Sequence, residues 1–112
     1  MNKTLKKKWV KALRSGKYKQ TRGRLRTKNG ARHCCLGVLC ELMGRSDWAG
    51  DPQTLPADEL EKAGIPLVVG TALARMNDGF DPADGEFITE EGDEPVREHS
   101  FSEIADHIEK NL

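Results

Sequence analysis

Three cysteines in one short window carry the most distinctive chemistry of this 112-residue chain. Cys34 and Cys35 are adjacent and follow His33, and the segment after them is the most apolar part of the sequence. A cysteine at a helix N-terminus beside cationic residues can be held as a nucleophilic thiolate, with a histidine as its base. Cys34, Cys35 and His33 are therefore candidate catalytic residues. Because this arrangement is generic, the sequence favours the simpler interpretation that the thiols are small buried apolar groups.

Metal ligation is the second chemistry that these residue types allow. The histidines and cysteines that could bind zinc are His33, Cys34, Cys35, Cys40, His99 and His107. Their spacing contains no Cys-x-x-Cys pair, and adjacent cysteines rarely share one tetrahedral site. Asp78, Asp81 and Asp84 are three apart, whereas a calcium-binding EF-hand loop places its acids two apart and ends on a glutamate. We therefore predict neither a metal nor a cofactor.

Positive charge is the strongest physical feature of the sequence. Residues 1–40 contain 13 of the 18 Lys and Arg residues and no Asp or Glu. Residues 41–112 contain the other 5 cations and all 18 acids, so the two parts carry net charges of +13 and −13. Such a basic region is typical of a surface that binds phosphates or an acidic partner. The alternative is that the two parts fold against each other and neutralise their charges.

Cations alternate with small and aromatic residues in residues 17–32, which we name the basic segment. Tyr18 could stack on a base, and the backbone amides of Gly23 and Gly30 could hold a phosphate. The candidate binding residues of this segment are Lys17, Tyr18, Arg22, Arg24, Arg26 and Arg32.

Asn77 and Asp78 complete the set of candidate partner-binding residues. They are followed by a glycine, in a pattern that predicts a turn at the end of a helix. Such turns lie at the surface, where a polar site can form.

Five short helices are predicted to position these residues. Thr4 is the expected N-cap of the first helix, and Gly37 inside the second predicts the close approach of another backbone. Ser100 and Glu103 have the spacing of a capping box at the start of the last helix. Apolar spacing and stop signals predict the helices over about residues 4–15, 35–44, 56–64, 68–76 and 100–112.

Turn signals complete the predicted fold. Asn29-Gly30 lies between two short alternating stretches and predicts a β-hairpin over residues 24–34. Residues 79–98 predict a mobile acidic loop in which Phe87-Ile88-Thr89 is the strand-like piece. The predicted fold class is therefore α+β, with four to five short helices packed around a small β-hairpin in a single domain, residues 1–112.

The hydropathy pattern bears on the compartment. No apolar run approaches the length of a membrane span, and Lys11 interrupts the apolar part of the N-terminal segment. We therefore predict no membrane partner and no signal peptide. An odd number of cysteines in one window does not form a disulfide framework, which predicts reduced thiols and a cytoplasmic protein.

Several blocks of the sequence resemble a family of small, mostly uncharacterised phage and prophage proteins. The blocks that carry the resemblance are residues 8–20, residues 33–42, Met76-Asn77-Asp78 and residues 101–108. The acidic insertion after Asp78 departs from the family pattern. The resemblance implies an accessory protein that acts in the cytoplasm of an infected or lysogenic bacterial host. Proteins in that setting often bind and block a host or defence component.

Three hypotheses about function follow from the residues and the resemblance. The leading one is a non-enzymatic binding module that inhibits a host or defence component, a protein or a nucleotide-like ligand, through the predicted hairpin. The second is a nucleic-acid-binding protein that uses the basic N-terminal third of the chain. The third is a cysteine-dependent enzyme.

Overall fold

The computed structural model describes residues 1–46, 48, 55–81 and 95–112. In these ranges five helices surround a two-stranded sheet, so the predicted α+β fold class is confirmed. The helices are α1 (Lys3–Arg14), α2 (Cys35–Leu42), α3 (Ala57–Ala63), α4 (Leu67–Asp78) and α5 (Phe101–Asn111). The strands are β1 (Lys19–Gln20) and β2 (Arg32–His33).

Helix α1 begins earlier than the sequence predicted. Its N-cap is Asn2 and not Thr4, because the Asn2 side-chain oxygen accepts a hydrogen bond from the Leu5 amide at 3.0 Å. Asparagine ranks above threonine as an N-cap, which favours the earlier start. The indole of Trp9 is fully buried and donates to the Cys35 carbonyl at 2.9 Å. This bond fixes α1 against the first turn of α2.

Helix α2 forms the centre of the core. Residues 35–40 are all buried, so this helix is enclosed on every side and not on one face alone. Gly37 packs directly on backbone, since a Cβ atom placed there would lie 1.8 Å from the Leu25 carbonyl oxygen. The predicted close approach at Gly37 is confirmed. The Cys34 amide donates to the same Leu25 carbonyl at 3.1 Å, which holds the basic segment on α2.

The small sheet differs from the predicted hairpin. The chain does turn at Asn29-Gly30, where the Gly30 amide donates to the Thr27 carbonyl and Gly30 has a φ of 71°. The two arms, however, share a single antiparallel bridge between Arg26 and His33. The ladder is instead parallel and pairs β1 with β2. Because α2 begins directly after β2, the antiparallel arm cannot extend, and the other edge of β2 pairs with β1.

The last three helices follow their predicted signals closely. Helix α3 ends at Gly64, and α4 continues two residues past its predicted end, to Asp78. The capping box at the start of α5 is confirmed: the Ser100 hydroxyl accepts from the Glu103 amide, and the Glu103 carboxylate accepts from the Ser100 amide. The buried face of α5 consists of Phe101, Ile104, Ala105 and Ile108, and α1 packs along this face.

The acidic region is described only at its two ends. Phe80 and Val96 form an isolated antiparallel bridge, with hydrogen bonds of 2.8 and 2.7 Å between their backbones. Most of the predicted acidic loop, including the strand-like Phe87-Ile88-Thr89, lies outside the described residues. Within the described ranges, no helix is both long and apolar enough to cross a bilayer.

Candidate functional site

Asn77 lies at the centre of a buried hydrogen-bond network. Its side chain is fully buried, and its oxygen accepts from the Cys35 amide at 3.1 Å and from the Gln20 amide group at 2.9 Å. Its amide group donates to the Thr21 carbonyl at 2.9 Å and to the Asp78 carboxylate at 2.8 Å. All four hydrogen-bonding positions of the asparagine are therefore used inside the protein, and none is left for a partner.

The Asn77 network joins segments that are far apart in the sequence. Gln20 also donates to the His99 carbonyl at 2.8 Å, and the His99 amide donates to the Met76 carbonyl at 2.7 Å. The network thus ties β1, the start of α2, the end of α4 and His99, shortly before α5, to one another. Its effect is to hold the basic segment in a fixed position on the helices.

Asp78 occupies the position in which a bound anion was expected. Its carboxylate accepts from the Gly23 amide at 3.0 Å, so this amide is already satisfied. The Gly30 amide is satisfied as well, by the Thr27 carbonyl at 2.9 Å. The two backbone amides that the sequence offered to a phosphate are therefore both engaged within the chain.

The three cysteines are not arranged as nucleophiles. Cys34 is the N-cap of α2, and its sulfur accepts from the Gly37 amide at 3.3 Å. Burial raises the pKa of Cys34 to about 12 and that of Cys40 to about 11, and it also raises the pKa of the fully buried Cys35. Desolvation outweighs the helix N-terminus here, so the neutral thiol is the stable form at neutral pH. The alternative interpretation of buried apolar cysteines accounts for these sites.

The His33 ring contacts Glu41 and two aromatic side chains and forms no hydrogen bond with the neighbouring thiols. The ring is nearly buried, with Nε2 lying 3.3 Å from the Glu41 carboxylate and Nδ1 lacking a hydrogen-bond partner. The rings of Tyr18 and Trp48 meet it edge-on, at centroid distances of 5.3 and 6.2 Å. The guanidinium of Arg26 lies 5.0 Å from the Trp48 ring centre. Sequence analysis missed this cluster because Glu41 and Trp48 approach His33 only in the folded chain.

Metal ligands do not converge in the part of the chain that the structure describes. No group of three or more His, Cys, Asp or Glu side chains is placed as ligands would be. His99 Nδ1 lies 2.8 Å from the Arg97 carbonyl oxygen, and His107 lies on α5 beside Asn111. These two histidines therefore contact residues other than the cysteines of α2.

The candidate residues of the basic segment fall into two groups. Arg22 pairs with Glu98 at 2.9 Å, Arg26 lies 3.5 Å from Glu41, and Tyr18 packs on His33. Tyr18, Arg24 and Arg26 are half-buried in the segment, whereas Arg22 is exposed and its ion pair lies at the surface. The cations of the segment that are exposed and form no ion pair with another described residue are Lys17, Lys19, Lys28 and Arg32.

The charge asymmetry is thus only partly neutralised by folding. Acids of the second part pair with Arg14, Arg22 and Arg26. The lysines of α1 have no ion-pair partner among the described residues, and four of them are exposed: Lys3, Lys7, Lys8 and Lys11. The leading sequence hypothesis placed the binding surface on the predicted hairpin, whereas the nucleic-acid hypothesis used the whole basic N-terminal third, which includes this helix.

Fold and surface together define a small α+β protein whose basic segment is held in place by the Asn77 network. Residues 1–54 match the family model of a domain of unknown function (DUF8296). The matched part contains α1, both strands and α2, and hence the whole basic segment. No curated protein and no solved structure matches the chain.

Proposed function

We propose that the protein is a non-enzymatic binding module that inhibits an acidic host or defence component, a protein or a nucleotide-like ligand. The observation that carries this proposal is the anchored basic segment. Asn77 and Asp78 hold its backbone at the Thr21 carbonyl and the Gly23 amide, whereas Lys17, Lys19, Lys28 and Arg32 are exposed and form no ion pair with another described residue. A positioned set of cations binds an anionic partner with less loss of conformational freedom than a flexible one does.

The proposed setting is the cytoplasm of a phage-infected or lysogenic bacterium. The support for this setting is the resemblance of residues 8–20 and 33–42 to the phage and prophage family. In the folded chain these blocks are α1 with β1 and β2 with α2, which are the elements that enclose the basic segment. The resemblance thus falls on the same part of the molecule as the proposed binding surface.

Charge reversal on the exposed side of the basic segment tests the proposal. We expect the Lys28→Glu/Arg32→Glu variant to lose at least about tenfold in affinity for its captured partner, because two attractive charges become repulsive. The matched control is Lys62→Glu/Lys110→Glu, which makes the same charge change at exposed positions of α3 and α5. Affinity capture from expressing and infected cells, with protein, nucleic-acid and small-molecule fractions analysed separately, measures the difference.

Either of two results would reject the basic segment as the binding surface. One is capture of the same components by the Lys28→Glu/Arg32→Glu variant as by the natural chain. The other is an equal loss in both charge-reversal variants, which would mean that only net charge matters.

The lysines of α1 support nucleic-acid binding as a second candidate function. None of these lysines is paired with an acid among the described residues. Their ammonium groups are therefore available to bind the phosphates of a nucleic-acid backbone. This candidate predicts that affinity for duplex or single-stranded DNA falls steeply between about 50 and 200 mM salt. Fluorescence anisotropy with labelled oligonucleotides measures this, and an unchanged signal at the lower salt concentration rejects the candidate.

A further inference from the structure

An open groove runs along the outer side of α1, and its lining contains no residue of the Asn77 network. Its volume is about 830 Å³. One wall consists of α1 side chains and the other of Glu109 and Leu112 at the end of α5. Met1, Val10 and Leu112 supply the apolar part of the lining. We name it the α1 groove.

The spacing of its residues shows that the groove follows one stripe of α1. The helix contributes Lys3, Lys6, Lys7, Val10, Lys11 and Arg14 to the lining. These positions are three and four residues apart, so they share a single helix face. Trp9 and Leu13 face the core, and Val10, at the edge of the stripe, is itself buried with 8% of its surface exposed. A helix of 12 residues presents this stripe over about 18 Å.

The charged side chains of the groove lining that have no ion-pair partner among the described residues are all positive. Arg14 is neutralised, since its guanidinium bonds Asp106 at 2.6 Å and Glu109 at 2.5 Å. The four lysines of the stripe have no ion-pair partner among the described residues. Their aliphatic stems add to the apolar lining while their ammonium groups stand at its rim. The result is an apolar floor bordered by cations.

We infer that the α1 groove binds an acidic amphipathic helix of a protein partner. Apolar side chains on one face of that helix would cover the half-buried Met1 and Leu112 and the exposed edge of Val10, and carboxylates beside them would meet the lysines. Acids at every third or fourth position of a helix repeat at the spacing of the lysines on α1. A helix that binds in this way contacts its groove through apolar residues at positions i, i+3, i+4 and i+7.

Other anionic ligands fit the groove less well. A single lipid headgroup would use only part of a row of four lysines spread over the helix. A nucleic-acid backbone would leave the apolar floor uncovered. A protein helix satisfies both the floor and the rim.

A peptide probe tests this inference separately from the function proposed for the basic segment. The probe is a fluorescein-labelled peptide of about 16 residues, long enough to form a helix, with leucine on one face and glutamate flanking it. The control is a scrambled peptide of the same composition. Anisotropy gives the affinity, and amide chemical shifts of the ¹⁵N-labelled full chain give the location.

The expected result is binding of the amphipathic peptide with shifts confined to Lys3–Arg14 and Glu109–Leu112, and at least about tenfold weaker binding of the scrambled peptide. The Lys7→Glu/Lys11→Glu variant should lose about tenfold, whereas Lys7→Arg/Lys11→Arg and Lys28→Glu/Arg32→Glu should bind as the natural chain does. Both lysines are exposed, and circular dichroism checks that the fold is kept.

Three results would overturn the inference. The first is equal binding of the two peptides, and the second is a shift map centred on residues 17–32. The third is the absence of peptide binding while duplex DNA or anionic phospholipid vesicles bind in a manner that depends on Lys7 and Lys11. None of these results rejects the proposal for the basic segment, which is tested separately by the Lys28→Glu/Arg32→Glu variant.

Discussion

Asn77 shows how a single polar residue can organise a small fold. It is buried beside Leu73 on the inner face of α4, and each of its hydrogen-bonding positions has a partner. Leaving a buried polar group without its partner costs about 1–3 kcal/mol, and more for a charged group. The side chain therefore contributes to stability through the four contacts that it makes, and to function only by holding the basic segment.

The substitution Asn77→Asp tests this role. An aspartate keeps the two acceptor contacts but loses both donor contacts, and its carboxylate faces Asp78 and the Thr21 carbonyl. We expect the free energy of unfolding to fall by about 3–5 kcal/mol, as for an uncompensated buried charge. Urea denaturation followed by circular dichroism measures the loss.

Asn29→Asp provides the matched control. The Asn29 side chain acts only as an acceptor, from the Ala31 amide at 3.0 Å and the Thr27 hydroxyl at 2.9 Å, and a carboxylate can do the same. We expect a change within about 0.5 kcal/mol at this exposed turn. Equal losses in the two variants would contradict the assigned role of Asn77.

Gly37 leads to a second prediction at this scale. The added methyl group of Gly37→Ala would overlap the Leu25 carbonyl, which is backbone and cannot move aside without displacing the basic segment. We expect destabilisation of about 2–4 kcal/mol by thermal or urea unfolding. Gly70→Ala is the control, because its nearest contact at 2.5 Å is the end of the Leu60 side chain, which can change rotamer at a smaller cost.

The thiols predict a pH-dependent reactivity. Since the pKa values of Cys34 and Cys40 are raised to about 12 and about 11, the folded protein holds few thiolates at pH 8. We expect slow labelling by a disulfide reagent that becomes fast when urea unfolds the chain. The free energy of unfolding should fall as the pH rises above about 9, because thiols then ionise in the unfolded chain only. One rapidly labelled thiol in the folded protein at pH 8 would restore the enzyme hypothesis.

At the scale of single elements, α5 is the helix whose start is most strongly specified. Ser100 and Glu103 satisfy two backbone amides at its first turn, and Arg97 bonds the Glu103 carboxylate. The hydrogen bond from Arg97, followed by that from the Ser100 amide, lowers the pKa of Glu103 to about 2. The local sequence therefore fixes where the helix begins, and the ion pair ties the preceding residues to it.

The lowered pKa predicts how acid affects this helix. A carboxylate with a depressed pKa stabilises the fold above its ordinary pKa of about 4.5, and the contribution disappears as the pH falls towards 2. We expect Glu103→Gln to flatten the pH dependence of the melting temperature in this interval. Ser100→Ala should lower stability by about 1 kcal/mol at every pH, through loss of the cap alone. An unchanged pH profile in Glu103→Gln would contradict the assignment.

At the scale of the whole molecule, the core joins elements from both ends of the chain. The buried face of α1, with Trp9 and Leu13, packs mainly on α5, and α2 packs on α4 as well as on α1. The part that matches the family model therefore packs extensively on the part that does not. A helix of this length depends on tertiary packing for its stability.

The fragment of residues 1–54 is consequently expected not to fold alone. Without α4 and α5 the apolar faces of α1 and α2 stay in contact with water. Circular dichroism should show little helix and no cooperative melting, in contrast to the full chain. Adding a fragment of residues 55–112 should increase the helical signal, whereas cooperative melting of residues 1–54 alone would show that the matched part is an independent unit.

Local sequence patterns determined the helices and most of their boundaries. The Ser100–Glu103 capping box, the stop at Gly64 and the close approach at Gly37 were predictable, because each depends on residues near one another in the chain or on the lack of a side chain. The burial of Asn77 was also predictable, because it lies four residues after Leu73 on the stripe that contains Val69 and Leu73. Three of its four partners were not, because Gln20, Thr21 and Cys35 come from two other segments of the chain.

The tertiary structure alone decided the sheet and the candidate surfaces. Asn29-Gly30 specifies a reversal, yet the parallel pairing of β1 with β2 depends on where α2 begins and on the bonds from Asn77 to Gln20 and Thr21. The sequence by itself determined that thirteen cations precede the first acid. Which of them pair with acids and which stay exposed depends on distances between residues up to 95 positions apart, such as Arg14 and Glu109. Only folding sets those distances, and with them the basic segment and the α1 groove.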